Sequence, residues 1–219
     1  MIHHLSAGRL FTLFFALCSL LSLTGCERAA RQQLLADVKA RQAALDSQDS
    51  QQAMRYMAPD SYAYFDKMMV LARTAPRQQV ERMAPSEMYN VLAIRAELEP
   101  EEVKSFTGRQ YVDVSIARGF WSGDTEAPDD RPEKIEFLDG AAIITWRIVD
   151  TDYRYREHYT KDASTGMWLL DLSRETDSHD QFFRHFARDM GISEQDAVVL
   201  GVQEGIKKEM PESAWDPPQ

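Results

Sequence analysis

The chain has 219 residues, of which 44% are hydrophobic and 27% charged, enough for one globular core of ordinary size and too apolar for disorder as the dominant state. Its formal net charge is −10, and residues 1–25 carry one basic residue (Arg9) and no acid, so the rest of the chain is one unit more negative still. A general affinity for phosphate backbones is disfavoured by that balance, and nucleic acid is not expected as a partner.

The chain opens with a short basic start and an apolar run, Leu10 to Leu23. This is signal-peptide length, since a spanning helix needs about 20 apolar residues. Directly after it, Leu23-Thr24-Gly25-Cys26 resembles the lipobox of bacterial lipoproteins. In that family small residues admit the lipoprotein signal peptidase, and the cysteine thiol takes a diacylglycerol. The resemblance implies a signal peptide over 1–25, lipidation at Cys26 with acyl chains such as palmitate, and a domain tethered to the cell membrane. Family members with Asp after the cysteine tend to stay at the inner membrane; Glu27 stands there instead, which implies the outer membrane, facing the periplasm, if the host has two membranes. The alternative is an ordinary secretory signal cleaved nearby, leaving a chance cysteine. Cys18 lies inside the discarded run, so a lipidated mature chain has no free thiol and no disulfide. Catalytic cysteine, thiol–metal and redox chemistry drop out together.

From Glu27 to Gln48, Leu34, Leu35, Val38 and Leu45 recur at helical spacing among polar residues. Asp49 with Gln52 has the form of a capping box and opens a short helix ended by Pro59. Asp60 or Ser61 is expected to cap a further helix, with Tyr62, Phe65, Met69 and Ala72 on one stripe, ending before Pro76. More helix is predicted over 77–83 and 86–98, with Met88, Val91 and Leu92 inward. The period then shifts from 3.6 to 2, and Tyr111, Val112, Val114, Ile116, Phe120 and Trp121 read as a first strand. Residues 122–133 read as an exposed acidic loop. Strands over 134–138 and 141–149 are joined at Asp139-Gly140, a strong hairpin signal. Residues 153–160 and 167–172 make another pair, giving about five strands in all: a curved antiparallel sheet packed by N-terminal helices, α+β in class. After Ser173 the pattern returns to helix, with Phe182, Phe183, Phe186 and Met190 forming an apolar stripe expected to dock on the sheet and Ser193 capping a last helix through Ile206. The reading divides the chain into a signal peptide (1–25), a cone-like α+β domain (26–173) and a helical extension (174–219) packed on the same domain.

That order of elements resembles the nuclear transport factor 2-like cone fold. Ala44 to Asp60 looks like its opening helices and "apolar-Ala-Pro-Asp" turn, and Tyr155 to Ser173 resembles its final hairpin. The resemblance implies a pocket between sheet and helices, where relatives such as ketosteroid isomerases and scytalone dehydratase use acids, tyrosines and histidines for proton transfer.

The residues able to supply such groups are Asp60, Tyr62, Asp66, His158 and Asp171. A buried acid of raised pKa beside a Tyr that donates to an oxyanion is what the chemistry requires. Each also has a plain reading: Asp60 as a helix N-cap, Tyr62 as core, His158 with Arg154 and Arg156 on an exposed strand face, and Asp171 as solvated opposite Trp168, Leu170 and Leu172. His179 and His185 stand six apart, the wrong spacing for one helix face. Asp124, Glu126, Asp129 and Asp130 lack the pattern of a calcium loop. No metal and no cofactor is expected, and no Ser/His/Asp signature, phosphate loop or metalloprotease motif is present. The sequence therefore favours a lipid-anchored, non-catalytic binding or scaffold module for a protein partner or a small apolar ligand. An isomerase- or dehydratase-like enzyme using Asp/Tyr/His chemistry is the alternative.

Overall fold

The computed structural model describes residues 7–121, 132–147 and 153–218, with side chains from Glu27 onward. The side chains of the lipobox and the four acids of the 122–131 segment lie outside the described residues. Helix α1 runs Ala7–Asp46 as one piece. Asp49 then accepts a hydrogen bond from the Gln52 amide and starts α2 (Ser50–Met54), as its spacing predicts.

Helix α3 spans Pro59–Thr74. Its N-cap is Ala58, with Pro59 in the first turn where its missing N–H costs nothing. Asp60 thus sits exposed inside the first turn and caps nothing, although its charge suits the helix dipole. After α4 (Arg77–Val80), helix α5 (Pro85–Glu97) is buried on nearly every side: Met88 and the run Val91 to Ala96 are all covered. Helix α6 (Pro100–Ser105) follows.

The segment read as a first strand is a helix, α7 (Gly108–Ala117). Thr107 and Gln110 form a reciprocal capping box that starts it, and Tyr111, Val112, Ser115 and Ile116 make a buried helical face. Gly108 allows α7 to cross α3 closely, because a Cβ there would stand 2.3 Å from the Asp66 amide nitrogen and 2.7 Å from the Tyr62 carbonyl.

With that segment removed, the described sheet has four antiparallel strands in meander order: β1 (Lys134–Leu138), β2 (Ala141–Arg147), β3 (Arg154–Lys161) and β4 (Trp168–Leu170). It is not strongly curled. Gly140 takes φ +66° in the β1–β2 turn, where Asp139-Gly140 was expected to reverse the chain. Register pairs Ala142 with Tyr159, Ile144 with Glu157 and Trp146 with Tyr155, so these six share one face. Leu34 and Val38 of α1 cover it, making a small core of its own with Trp168 and Leu170. Beyond β4, the Leu170 amide donates to the Tyr56 carbonyl at 2.7 Å, and the Ala58 amide donates to the Leu170 carbonyl at 2.8 Å. The strand edge is thereby tied to the α2–α3 junction.

A 3-10 turn (Leu172–Arg174) leads into α8 (Thr176–Met190), which Gly191 ends in the left-handed conformation. Ser193 caps α9 (Glu194–Ile206) by accepting from the Asp196 amide. The aromatic stripe of α8 joins the helical core instead of the sheet's: Phe183 lies 5.5 Å from Tyr89 of α5, ring to ring, while Met190 is 59% exposed. Arg95 of α5 anchors the chain's end. Its buried guanidinium donates to the carbonyls of Ala72 (2.8 Å) and Ala75 (2.6 Å) at the end of α3 and of Trp215 (3.0 Å).

Candidate functional site

Four of the residues singled out from sequence do not converge. Asp60 is exposed at the start of α3. Tyr62 donates to the Met54 carbonyl at 2.9 Å, with the Arg109 guanidinium 4.8 Å from its ring centre. Asp66 is exposed and accepts from the Gly108 amide at 2.6 Å, holding the start of α7. His158 sits on the sheet face away from α1, beside exposed Arg154 and Arg156. On that face Glu133 bridges Arg154 (2.6 Å) and Arg147 (3.1 Å), which hold its carboxyl down to about 2. Asp171 is fully buried, correcting its solvated reading: its side chain turns back to accept from Ser173 and starts the 3-10 turn.

Two buried polar clusters stand elsewhere. The first joins α1 to the sheet. Arg41 meets Glu157 at 2.7 Å, both nearly enclosed, and Glu157 also accepts from Tyr159 and Trp146 at 2.7 Å each. Burial pushes the Glu157 carboxyl up, but Arg41 and these donors overcome it and hold it below the usual range. Glu175 lies near the same pair, and burial together with the Glu157 charge raises it well above that range. Its members spend their polar atoms on one another across the α1–sheet contact. It reads as a buried link between helix and sheet.

The second cluster lines a cavity. Between α3, α5 and α7, with Leu172 and His179 at its rim, lies a space of about 190 Å³. Asn90, Ala93 and Glu97 face it from α5, where separations of three and four residues put them on one side of the helix. Tyr111 comes from α7, Tyr64 and Phe65 from α3, and Phe120 and Trp121 from the segment after α7. Glu97 is the last residue of α5. Its Oε2 accepts from the Tyr111 hydroxyl at 3.0 Å and from the Ser115 hydroxyl at 3.2 Å. Burial pushes the Glu97 carboxyl up to about 7, against the pull of those two donors and of the Lys208 and Arg118 charges. Tyr89 is raised to about 12, by burial first and by Glu97 second. The Asn90 amide donates to the Tyr64 hydroxyl (3.1 Å) and the Ser86 carbonyl (2.8 Å), which fixes the far wall.

The arrangement is a carboxyl poised near neutrality, held by a neutral phenol, at the end of an aromatic cavity. It can accept a hydrogen bond from a ligand, take up a proton, or face a cation. Among the described residues no group of three His, Cys, Asp or Glu side chains could hold a metal ion, and no helix is long and apolar enough to cross a membrane. Sequence reasoning read α5 as a helix and saw its Met88, Val91 and Leu92 face, but passed over Glu97. The available signal was the polar pair Asn90 and Glu97, two turns apart on one side of a helix whose run Val91 to Ile94 is apolar. Comparison with protein families, with curated proteins and with solved structures finds no match for this chain.

Proposed function

We propose that this chain is a lipid-anchored cell-envelope protein whose domain binds a small, largely apolar ligand in the Glu97 cavity. One observation carries the binding half: the aromatic cavity is lined, among the described residues, by a single largely buried carboxyl, the pattern of apolar walls with a few placed polar groups that marks ligand sites. Its volume, about 190 Å³, is below the roughly 300 Å³ usual for drug-sized ligands and above the roughly 150 Å³ that holds a benzene. The ligand is therefore small. The anchoring half rests on the lipobox ending at Cys26, with Glu27 favouring an outer-membrane address, and the nuclear transport factor 2-like relationship rests on helices preceding an antiparallel meander.

A thermal-shift screen of small aromatic and aliphatic compounds against the full chain in detergent micelles tests the binding. Binders are expected on the wild type, and Ala93→Leu, which fills the cavity from α5, is expected to lose them. Compounds that shift both proteins equally would remove the cavity from the account. A second reading, a proton-transfer enzyme, is favoured by the near-neutral Glu97 beside Tyr111, since a general base works best with its pKa near the operating pH. It requires exchange of a carbon-bound proton on a bound ligand that Glu97→Gln abolishes.

A further inference from the structure

We infer that the cavity's ligand is a small organic cation, an ammonium or methylated ammonium, seated against aromatic rings with Glu97 as its counter-charge. This rests on the ligand-binding reading above and names the class of ligand.

The wall is the first ground. Aromatic rings from α3, α5, α7 and the segment after α7 dominate the lining, and among the described residues the aliphatic contributions are Ala93 and Leu172. A neutral hydrocarbon would be served as well by leucine and valine, which this chain uses freely elsewhere in the same core. Ring faces add an attraction that only a positive charge collects, about 0.5–1 kcal/mol at exposed sites and more when desolvated.

The second ground is charge. Among the described residues Glu97 is the one carboxyl lining the space, and neither Lys nor Arg lines it. An anionic ligand would meet the carboxylate with only His179 at the rim to offset it. The nearest cations are engaged or distant from the lining: Arg118 forks onto Glu102 at 3.0 and 2.5 Å, and Lys208 is exposed after the end of α9. Tyr111 and Ser115 both spend their hydroxyl protons on Glu97 Oε2, and the Asn90 amide is taken by Tyr64 and Ser86. Among the described residues the charged carboxylate thus has donors but no contacting counter-ion, and its carboxyl is raised to about 7 in consequence of burial. A cation in the cavity would supply what the protein leaves out. The space exceeds that needed for benzene, so a trimethylammonium head fits it.

The test is calorimetry on the full chain in detergent micelles near neutral pH, with choline and its uncharged isostere 3,3-dimethylbutan-1-ol. Choline is expected to bind at least about tenfold more tightly than the isostere. It should also release protons from Glu97, seen as a heat that varies with the ionisation enthalpy of the buffer. Glu97→Gln should bring the two ligands to similar affinity and abolish the proton release. The release is read on the wild type, so the outcome does not hang on the variant's folding. Equal binding of both ligands to the wild type would overturn the cation inference and leave the ligand-binding reading intact. So would failure of both to compete with a binder found in the compound screen. A screen with no cavity binder of any charge would overturn both.

Discussion

Replacing Glu97 with Gln should make the protein more stable at alkaline pH and leave it almost unchanged at acid pH. The glutamine keeps an oxygen to accept from Tyr111 and Ser115 but never ionises. The folded carboxyl stands at about 7 against 4.5 for the free side chain, so the folded state binds the proton more tightly than the unfolded chain. For such a raised acid the stability is fully present below the unfolded value and is lost as pH rises through the folded one. The window is therefore pH 4.5 to 7. A shift of that size corresponds to about 3 kcal/mol, at 1.36 kcal/mol per unit, as an upper figure because Glu97 retains some contact with solvent. For a chain of this length, that is about 6–12 °C in Tm. Thermal melts of both proteins from pH 4.5 to 8.5 measure it: the gap should be near zero at the acid end, open through pH 6 and plateau above 7.5. A gap that stays constant across the range would refute the argument that burial raises this carboxyl.

Further outcomes follow from other parts of the fold. Arg41→Ala leaves Glu157 enclosed without its partner and should cost about 3–5 kcal/mol in urea unfolding, whereas the joint change Arg41→Met with Glu157→Met should cost far less. Gly108→Ala forces a Cβ into the α3 backbone and should lower stability by at least about 2 kcal/mol by the same assay. Arg95→Leu strands the carbonyls of Ala72, Ala75 and Trp215, so limited proteolysis should clip the C-terminal segment faster. Cys26→Ser should abolish palmitate labelling in a bacterial host and release the protein from the membrane fraction; labelling that survives would point to the ordinary secretory signal.

Local chemistry made much of the helical framework readable. Asp49, Pro59, Ser193 and Asp139-Gly140 act through their own backbone neighbourhood, so their spacing carries the information. The α7 segment shows where that reading fails. Tyr111, Val112, Val114 and Ile116 are β-formers in near alternation, and that pattern outweighed Thr107-Gly108-Arg109-Gln110, whose capping box marks a helix start. Burial of Tyr111, Val112, Ser115 and Ile116 as α7 packs on α3 and α2 decided the matter, a tertiary effect that no local window holds. The cavity was hidden for the same reason. Glu97 meets Tyr111 and Ser115 only because α7 packs closely on α3 at Gly108, which brings its buried face to the end of α5. Asp171 shows the complementary error: alternation put it opposite an apolar set, while the turn of the chain after β4 folds it inward.

The most direct test is a crystal structure of the chain grown with the tightest binder from the compound screen. We expect the ligand enclosed between Ala93, Trp121 and Tyr111, with its polar group within hydrogen-bonding or ion-pairing reach of Glu97. A ligand bound elsewhere, with the cavity between α3, α5 and α7 holding water alone, would contradict the proposed function.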